Sequence, residues 1–157
     1  MELRLRPPTQ AEFDEWLPRQ QAQYAAGIVA SGALPLAAAE QKAIRDTTTR
    51  LPDGFRTPGQ LIFRLMAGEE PAGWLWLEVP YSGGGDPHMA WVNDIEVDQA
   101  CRGRGYGRQA MLLAEREARD HGMTSICLNV HGRNTIARAL YDSLGYEVMS
   151  QQMKKPL

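Results

Sequence analysis

A chain of 157 residues with 43% hydrophobic content holds enough apolar material for one core and one domain. Its formal net charge of -2 gives no basis for bulk attachment to nucleic acid or to an anionic membrane. No apolar run reaches the roughly 18 residues of a membrane span, and two cysteines, Cys101 and Cys127, make no disulfide framework. The expected location is therefore the cytoplasm.

In chain order, Leu3 and Leu5 alternate with charged residues and predict a short first strand. Thr9-Gln10-Ala11-Glu12 is a capping box that opens a helix. Phe13, Trp16, Leu17, Tyr24 and Ile28 recur on one helical stripe, with Pro18 expected to kink or split it. A second helix is expected over 35–50, and Leu51-Pro52-Asp53-Gly54 reads as a turn. The period then becomes strand-like. Leu61, Phe63 and Leu65 share one strand face, Gly68 to Pro71 turns the chain, and 72–79 returns as a hairpin partner carrying Trp74 and Trp76. A glycine-rich loop over 82–87 leads into a strand over 89–97.

Between that strand and an amphipathic helix lies Arg102-Gly103-Arg104-Gly105-Tyr106-Gly107-Arg108. Alternate glycines let the backbone approach a ligand with its amides unobstructed. Those amides open a helix, whose N-terminus favours negative charge. Three interleaved arginines suit a diphosphate. A P-loop would require Lys-Ser or Lys-Thr after the last glycine, whereas Gly107 is followed by Arg108-Gln109. A dinucleotide fold would place an acid on the next strand, which here ends Leu128-Asn129-Val130-His131. Both ligand classes are disfavoured.

The helix after the loop carries Tyr106, Ala110, Leu113, Ala114 and Ala118 on one stripe and stops at Gly122. A strand over 125–130 follows, then a helix capped by Asn134 and closed by Gly145, then a last strand from 146 to 149. Asn134, Ala137 and Tyr141 fall on one face of that helix, with Ile136, Leu140 and Leu144 beside them as expected core. The order of elements calls for an α/β (α+β) mixed sheet.

The pattern Arg-x-x-Gly-x-Gly from Arg102 to Gly107, followed by Asn134, Ala137, Tyr141 and Gly145-Tyr146, resembles the GNAT N-acetyltransferase superfamily. The resemblance is strongest over 60–155 and includes the run 90–98 as the family's fourth strand. It implies one N-acetyltransferase domain over 1–157. Within it, 9–58 would be a helical acceptor-side region and 60–155 an acetyl-CoA-binding core. Its sheet would be mixed and mostly antiparallel, flanked by helices, with the fourth and fifth strands splayed.

The resemblance also implies the site. Backbone groups of Ile95 and Val97 would pair with pantetheine, and the loop residues Arg102, Gly103, Arg104, Gly105, Tyr106, Gly107 and Arg108 would take the pyrophosphate. Asn134 and Ala137 would meet the pantetheine arm, and the Tyr141 hydroxyl would lie near the thioester sulfur. Asp94 and Glu96 are the candidate bases, Asp94 preferred; His131 is a weaker one. No metal is expected, since the histidines and cysteines lack ligand spacing. The expected activity is acetyl transfer from acetyl-CoA to the primary amine of a small molecule or peptide, with a homodimer left open. A non-catalytic acyl-CoA sensor of the same fold is the alternative.

Overall fold

The structure is a computed structural model that describes residues 2–157. Its contacts form two compact units, one ending at Cys127 and one spanning Leu128–Leu157. The first holds β1 (Leu3–Arg6), α1 (Gln10–Ala30), α2 (Leu36–Arg50), β2 (Gln60–Ala67), β3 (Glu70–Glu78), β4 (Met89–Val97) and α3 (Tyr106–Asp120). β5 (Ser125–Leu128) ends at the boundary, and α4 (Thr135–Ser143) belongs to the second unit.

The five strands lie in the order β1-β2-β3-β4-β5. β1 to β4 form an antiparallel meander. β5 returns parallel to β4 by way of α3, its start fixed by the Thr124 and Ser125 N–H groups donating to the His88 carbonyl at 2.8 and 3.2 Å. β4 has nine residues and β5 only four, so β5 is too short to run alongside the C-terminal half of β4.

The two sheet faces are covered by different helices. Ile62, Trp74 and Trp76 meet Phe13 and Trp16 of α1 and Leu51 beyond α2. Trp16 is completely buried and stacks on Trp74 with centroids 5.1 Å apart, the offset geometry aromatic pairs prefer. The tryptophans thus belong to the core. α2 lies on α1 through Ala25, Ala39 and Ala43, whose small side chains let the helices approach closely. On the other face Ala118 of α3 packs with Val79 and Ala90, joined by Leu61 and Ile126.

The capping box of α1 forms as its sequence requires. Thr9 Oγ1 accepts from the Glu12 N–H at 3.2 Å, and the Glu12 carboxylate accepts from the Thr9 N–H at 2.8 Å. The Arg6 guanidinium then holds that carboxyl down at about 2. Pro18 neither splits nor ends α1. It sits on the exposed side, where water can satisfy the Asp14 carbonyl that loses its helical donor.

Two expectations fail in the second unit. No strand forms over 146–149: the chain from 146 onward is irregular, with Val148 and Met149 exposed. Without a strand to lie on, the apolar face of α4 is not buried within this unit, and Ile136 is exposed.

Candidate active site

β4 carries the candidate base, and one irregularity decides which way its side chains point. Across the β3–β4 ladder Trp76 faces Asp94 while Leu77 faces Val92, so Asn93 is an extra residue in β4. Such a bulge sets two successive side chains toward one side of the sheet. Asp94 shares the α1/α2 face with its partner Trp76, and Glu96 shares it with Trp74. Asn93 reaches the same side, where its Oδ1 accepts a hydrogen bond from Arg50 Nη1 at the end of α2. Glu96 Oε1 accepts from Gln23 Nε2 of α1 at 3.3 Å.

Ile95 and Val97 differ from these residues in both side chain and backbone. Opposed residues in an antiparallel ladder alternately exchange hydrogen bonds and turn them outward. The Asp98 N–H donates to the Ala72 carbonyl at 2.9 Å. The Val97–Gly73 and Ile95–Leu75 pairs therefore turn their backbone groups away from β3, toward the side on which β5 falls short. The Val97 carbonyl accepts from Arg102 Nε at 3.0 Å. Asp98 is locked by Arg64 Nη2 at 2.8 Å, which fixes the end of the strand.

The electrostatics single out Asp94. Its Oδ2 is enclosed and has no hydrogen-bond partner among the described residues. Burial pushes the carboxyl up to about 7; the like charge of Glu96 adds to the rise, and the Ile95 N–H opposes it. A carboxyl that titrates near neutrality is matched to taking a proton at neutral pH.

The glycine loop follows directly. Gly103 and Gly105 hold φ of 75° and 76°, the left-handed region that favours glycine. Gly105 is the N-cap of α3 and supplies no side-chain cap, so the helix start is left to its backbone amides. Arg102, Arg104 and Arg108 are exposed around it. Gly107 already lies inside the helix, and the Tyr106 side chain is buried, leaving its amide as the part that can face a ligand.

In the second unit Asn134 caps α4, its Oδ1 accepting from the Ala137 N–H at 3.2 Å. Tyr141 lies two turns along the same face, its ring 5.7 Å from that of Tyr146. The predicted residues therefore fall into two groups, Asp94 to Arg108 in the first unit and Asn134 to Tyr141 in the second. Strict strand alternation misses Asn93, and Arg50 and Gln23 look like ordinary helix-surface residues. The legible signal was the adjacent polar pair Asn93-Asp94, set between the apolar run Met89–Val92 and the alternating Ile95-Glu96-Val97. No group of three or more His, Cys, Asp or Glu among the described residues could hold a metal ion. No helix among them is long and apolar enough to cross a membrane.

The chain is 29% identical to YycN of Bacillus subtilis, an uncharacterized N-acetyltransferase, over 100% of both chains. The YycN crystal structure superimposes with a TM-score of 0.89, covering 99% of this chain and 98% of that one. Mycothiol acetyltransferase of Rhodococcus erythropolis is 34% identical over 62% of this chain, which spans 33% of that protein. The structure of AAC(6')-Iy, solved in complex with the bisubstrate analogue CoA-S-monomethyl-acetylneamine, shares the fold at a TM-score of 0.65 and 17% identity, covering 100% of this chain and 99% of that one. The profile of the Acetyltransferase (GNAT) family matches residues 11–146. The chain thus belongs to the GNAT acetyltransferase family.

Proposed function

We propose that the protein is an acetyl-CoA-dependent N-acetyltransferase that moves an acetyl group to a primary amine, with Asp94 as the base. The observation that carries this reading is the enclosed Asp94 carboxyl, its Oδ2 unpaired among the described residues and its pKa raised to about 7, one residue from the outward-facing backbone of Ile95.

The loop has the properties a diphosphate requires. A Cβ built at Gly103 or Gly105 would meet nothing within 4 Å, so the space before the helix start is open. The amides of 103–108, with Arg102, Arg104 and Arg108, would take the pyrophosphate. Ile95 and Val97 would pair with pantetheine through their backbone, Val97 by its N–H because its carbonyl already accepts from Arg102, and Asn134 and Ala137 would meet its arm. Asn134 Oδ1 is engaged by the helix cap, so the side chain would act through its amide N–H. Acetyl-CoA, as donor substrate, supplies an activated thioester.

An aliphatic ammonium has a pKa near 10 and is inert at neutral pH until a proton leaves. Asp94 takes that proton, and the Glu96 charge strengthens it as a base. The amine nitrogen then bonds to the acetyl carbon as the C–S bond breaks. Its second proton ends on the departing sulfur, which the Tyr141 hydroxyl would serve, and Asp94 returns the first to solvent. The free cysteines Cys101 and Cys127 suit a reducing cytoplasm.

The test is a screen of pooled primary amines with acetyl-CoA, reading release of the CoA thiol. Transfer to at least one amine, lost in Asp94→Asn at pH 7, is expected. Tight acetyl-CoA binding with no transfer to any amine would favour the non-catalytic sensor instead.

A further inference from the structure

Two consecutive residues at the β4 bulge each enclose a polar atom without a partner among the described residues: the Asn93 amide Nδ2, a donor, and Asp94 Oδ2, an acceptor. An enclosed polar atom left unpaired destabilises a fold. Such atoms in native proteins are normally paired, and an exception calls for a reason such as strain, a catalytic role or a bound water or ion. Two on adjacent residues, of opposite hydrogen-bonding sense, describe a ligand with a donor and an acceptor a few bonds apart.

Arg50 supplies a third group. Its Nη1 donates to Asn93 Oδ1, which turns the amide and leaves the enclosed Nδ2 as the unpaired end of that side chain. That is its one hydrogen bond among the described residues, and no carboxylate there lies within ion-pair distance of it. Of the neighbouring acids, Asp46 feels the Arg50 charge, but each spends its hydrogen bonds on other partners. Asp46 accepts from Lys42 Nζ at 2.6 Å and from the Tyr24 hydroxyl at 2.9 Å, and Glu96 accepts from Gln23. Arg50 is exposed, with guanidinium donors to spare beside the bulge.

We propose that Asn93 and Arg50 form a carboxylate subsite beside Asp94, so that the acceptor is an α-amino acid bound with its amine at Asp94 and its carboxylate at Asn93 Nδ2 and Arg50. This rests on the acetyl-transfer reading above and names its substrate class. Adjacent residues on one strand match an amine and a carboxylate borne on one carbon. The positive charge of Arg50 selects a carboxylate over a neutral carbonyl, for which the Asn93 amide alone would suffice. A simple alkylamine would leave Asn93 Nδ2 unpaired on binding and forgo the guanidinium, so it is discriminated against.

The experiment uses matched trios of acceptors: an amino acid, its amide and its decarboxylated amine, each with an apolar, an acidic and a basic side chain. kcat/KM is read by CoA release for the wild type, Arg50→Met, Asn93→Ala and a control, Arg119→Met, on the exposed side of α3. In parallel, calorimetry measures amino-acid binding to the wild type and Arg50→Met with CoA present. The wild type should prefer the amino acid over both relatives by about ten- to hundredfold, the worth of a charge-assisted hydrogen bond. In Arg50→Met that preference should collapse, chiefly through KM, with the calorimetric affinity falling in step; Arg119→Met should retain it. A decarboxylated amine used as well as its amino acid would overturn the subsite. So would an amide used as well as the acid, which would mean recognition of a neutral carbonyl. Acetyl-CoA binding without turnover of any trio would overturn the transfer reading instead, and the calorimetric arm would still decide the subsite.

Discussion

Asp94 of β4 stands directly opposite Trp76 of β3, which places a carboxylate on the sheet face that also carries Trp74 and Ile62. The ring of Trp76 is buried against Trp16, and its Nε1 is satisfied by Gln60 Oε1 at 2.7 Å. The Trp76 indole thus spends its one donor elsewhere, and the burial of Asp94, with the nearby Glu96 charge, outweighs the Ile95 N–H and raises its carboxyl to about 7.

That environment destabilises the folded protein as pH rises. The carboxyl titrates near 3.9 in the unfolded chain and at about 7 in the fold, so the fold binds the proton more tightly. Its contribution is fully favourable below about pH 4 and lost as pH rises through 7, a change of about 4 kcal/mol. Asp94→Asn should abolish this dependence. Thermal melts of both proteins from pH 4 to 8.5 should show the variant gaining on the wild type as pH rises. A melting-point difference that does not change with pH would place the Asp94 carboxyl in water.

Gly105 tests the phosphate loop. Valine there must adopt a φ of 76° and would fill the open space before α3. Gly105→Val should weaken acetyl-CoA binding by about tenfold or more, the worth of roughly one charge-assisted contact. Calorimetry on a variant shown to be folded by circular dichroism checks this. Unchanged affinity would remove the pyrophosphate from this loop.

How much of this was legible in the sequence depends on whether local chemistry or long-range pairing decided each feature. The capping box at Thr9, the strand from Met89 to Val97 and the left-handed Gly103 and Gly105 are written in residues a few positions apart. The bulge at Asn93 depends on where β3 happens to pair, and strict alternation would have set Asn93 beside Ile95 and Val97. Arg50 matters only because α2 ends at the bulge, a distance of 43 residues along the chain. Pro18 failed as a helix breaker because its face is solvent, and 146–149 failed as a strand although its composition allowed one.

Tyr141→Phe keeps the ring and its packing on Tyr146 while removing the hydroxyl. If that hydroxyl serves the departing sulfur, kcat should fall by about one to four decades with acetyl-CoA affinity little changed. Pre-steady-state kinetics that confirm chemistry as the slow step provide the check. A kcat within about twofold of wild type would leave Tyr141 a packing residue and solvent the proton source.

The most direct test of the account is the pH dependence of kcat/KM for one accepted amine, measured for wild type, Asp94→Asn and Glu96→Gln. Wild type should rise to a plateau with an apparent pKa of about 7, the value burial gives Asp94. Asp94→Asn should lose that plateau, fall by about 10²- to 10⁴-fold at pH 7, and climb tenfold per pH unit toward the amine's own pKa. Glu96→Gln should keep the plateau and shift it to lower pH, because removing the neighbouring charge eases ionisation of Asp94. A wild-type plateau retained in Asp94→Asn, or lost only in Glu96→Gln, would contradict the assignment of Asp94 as the base.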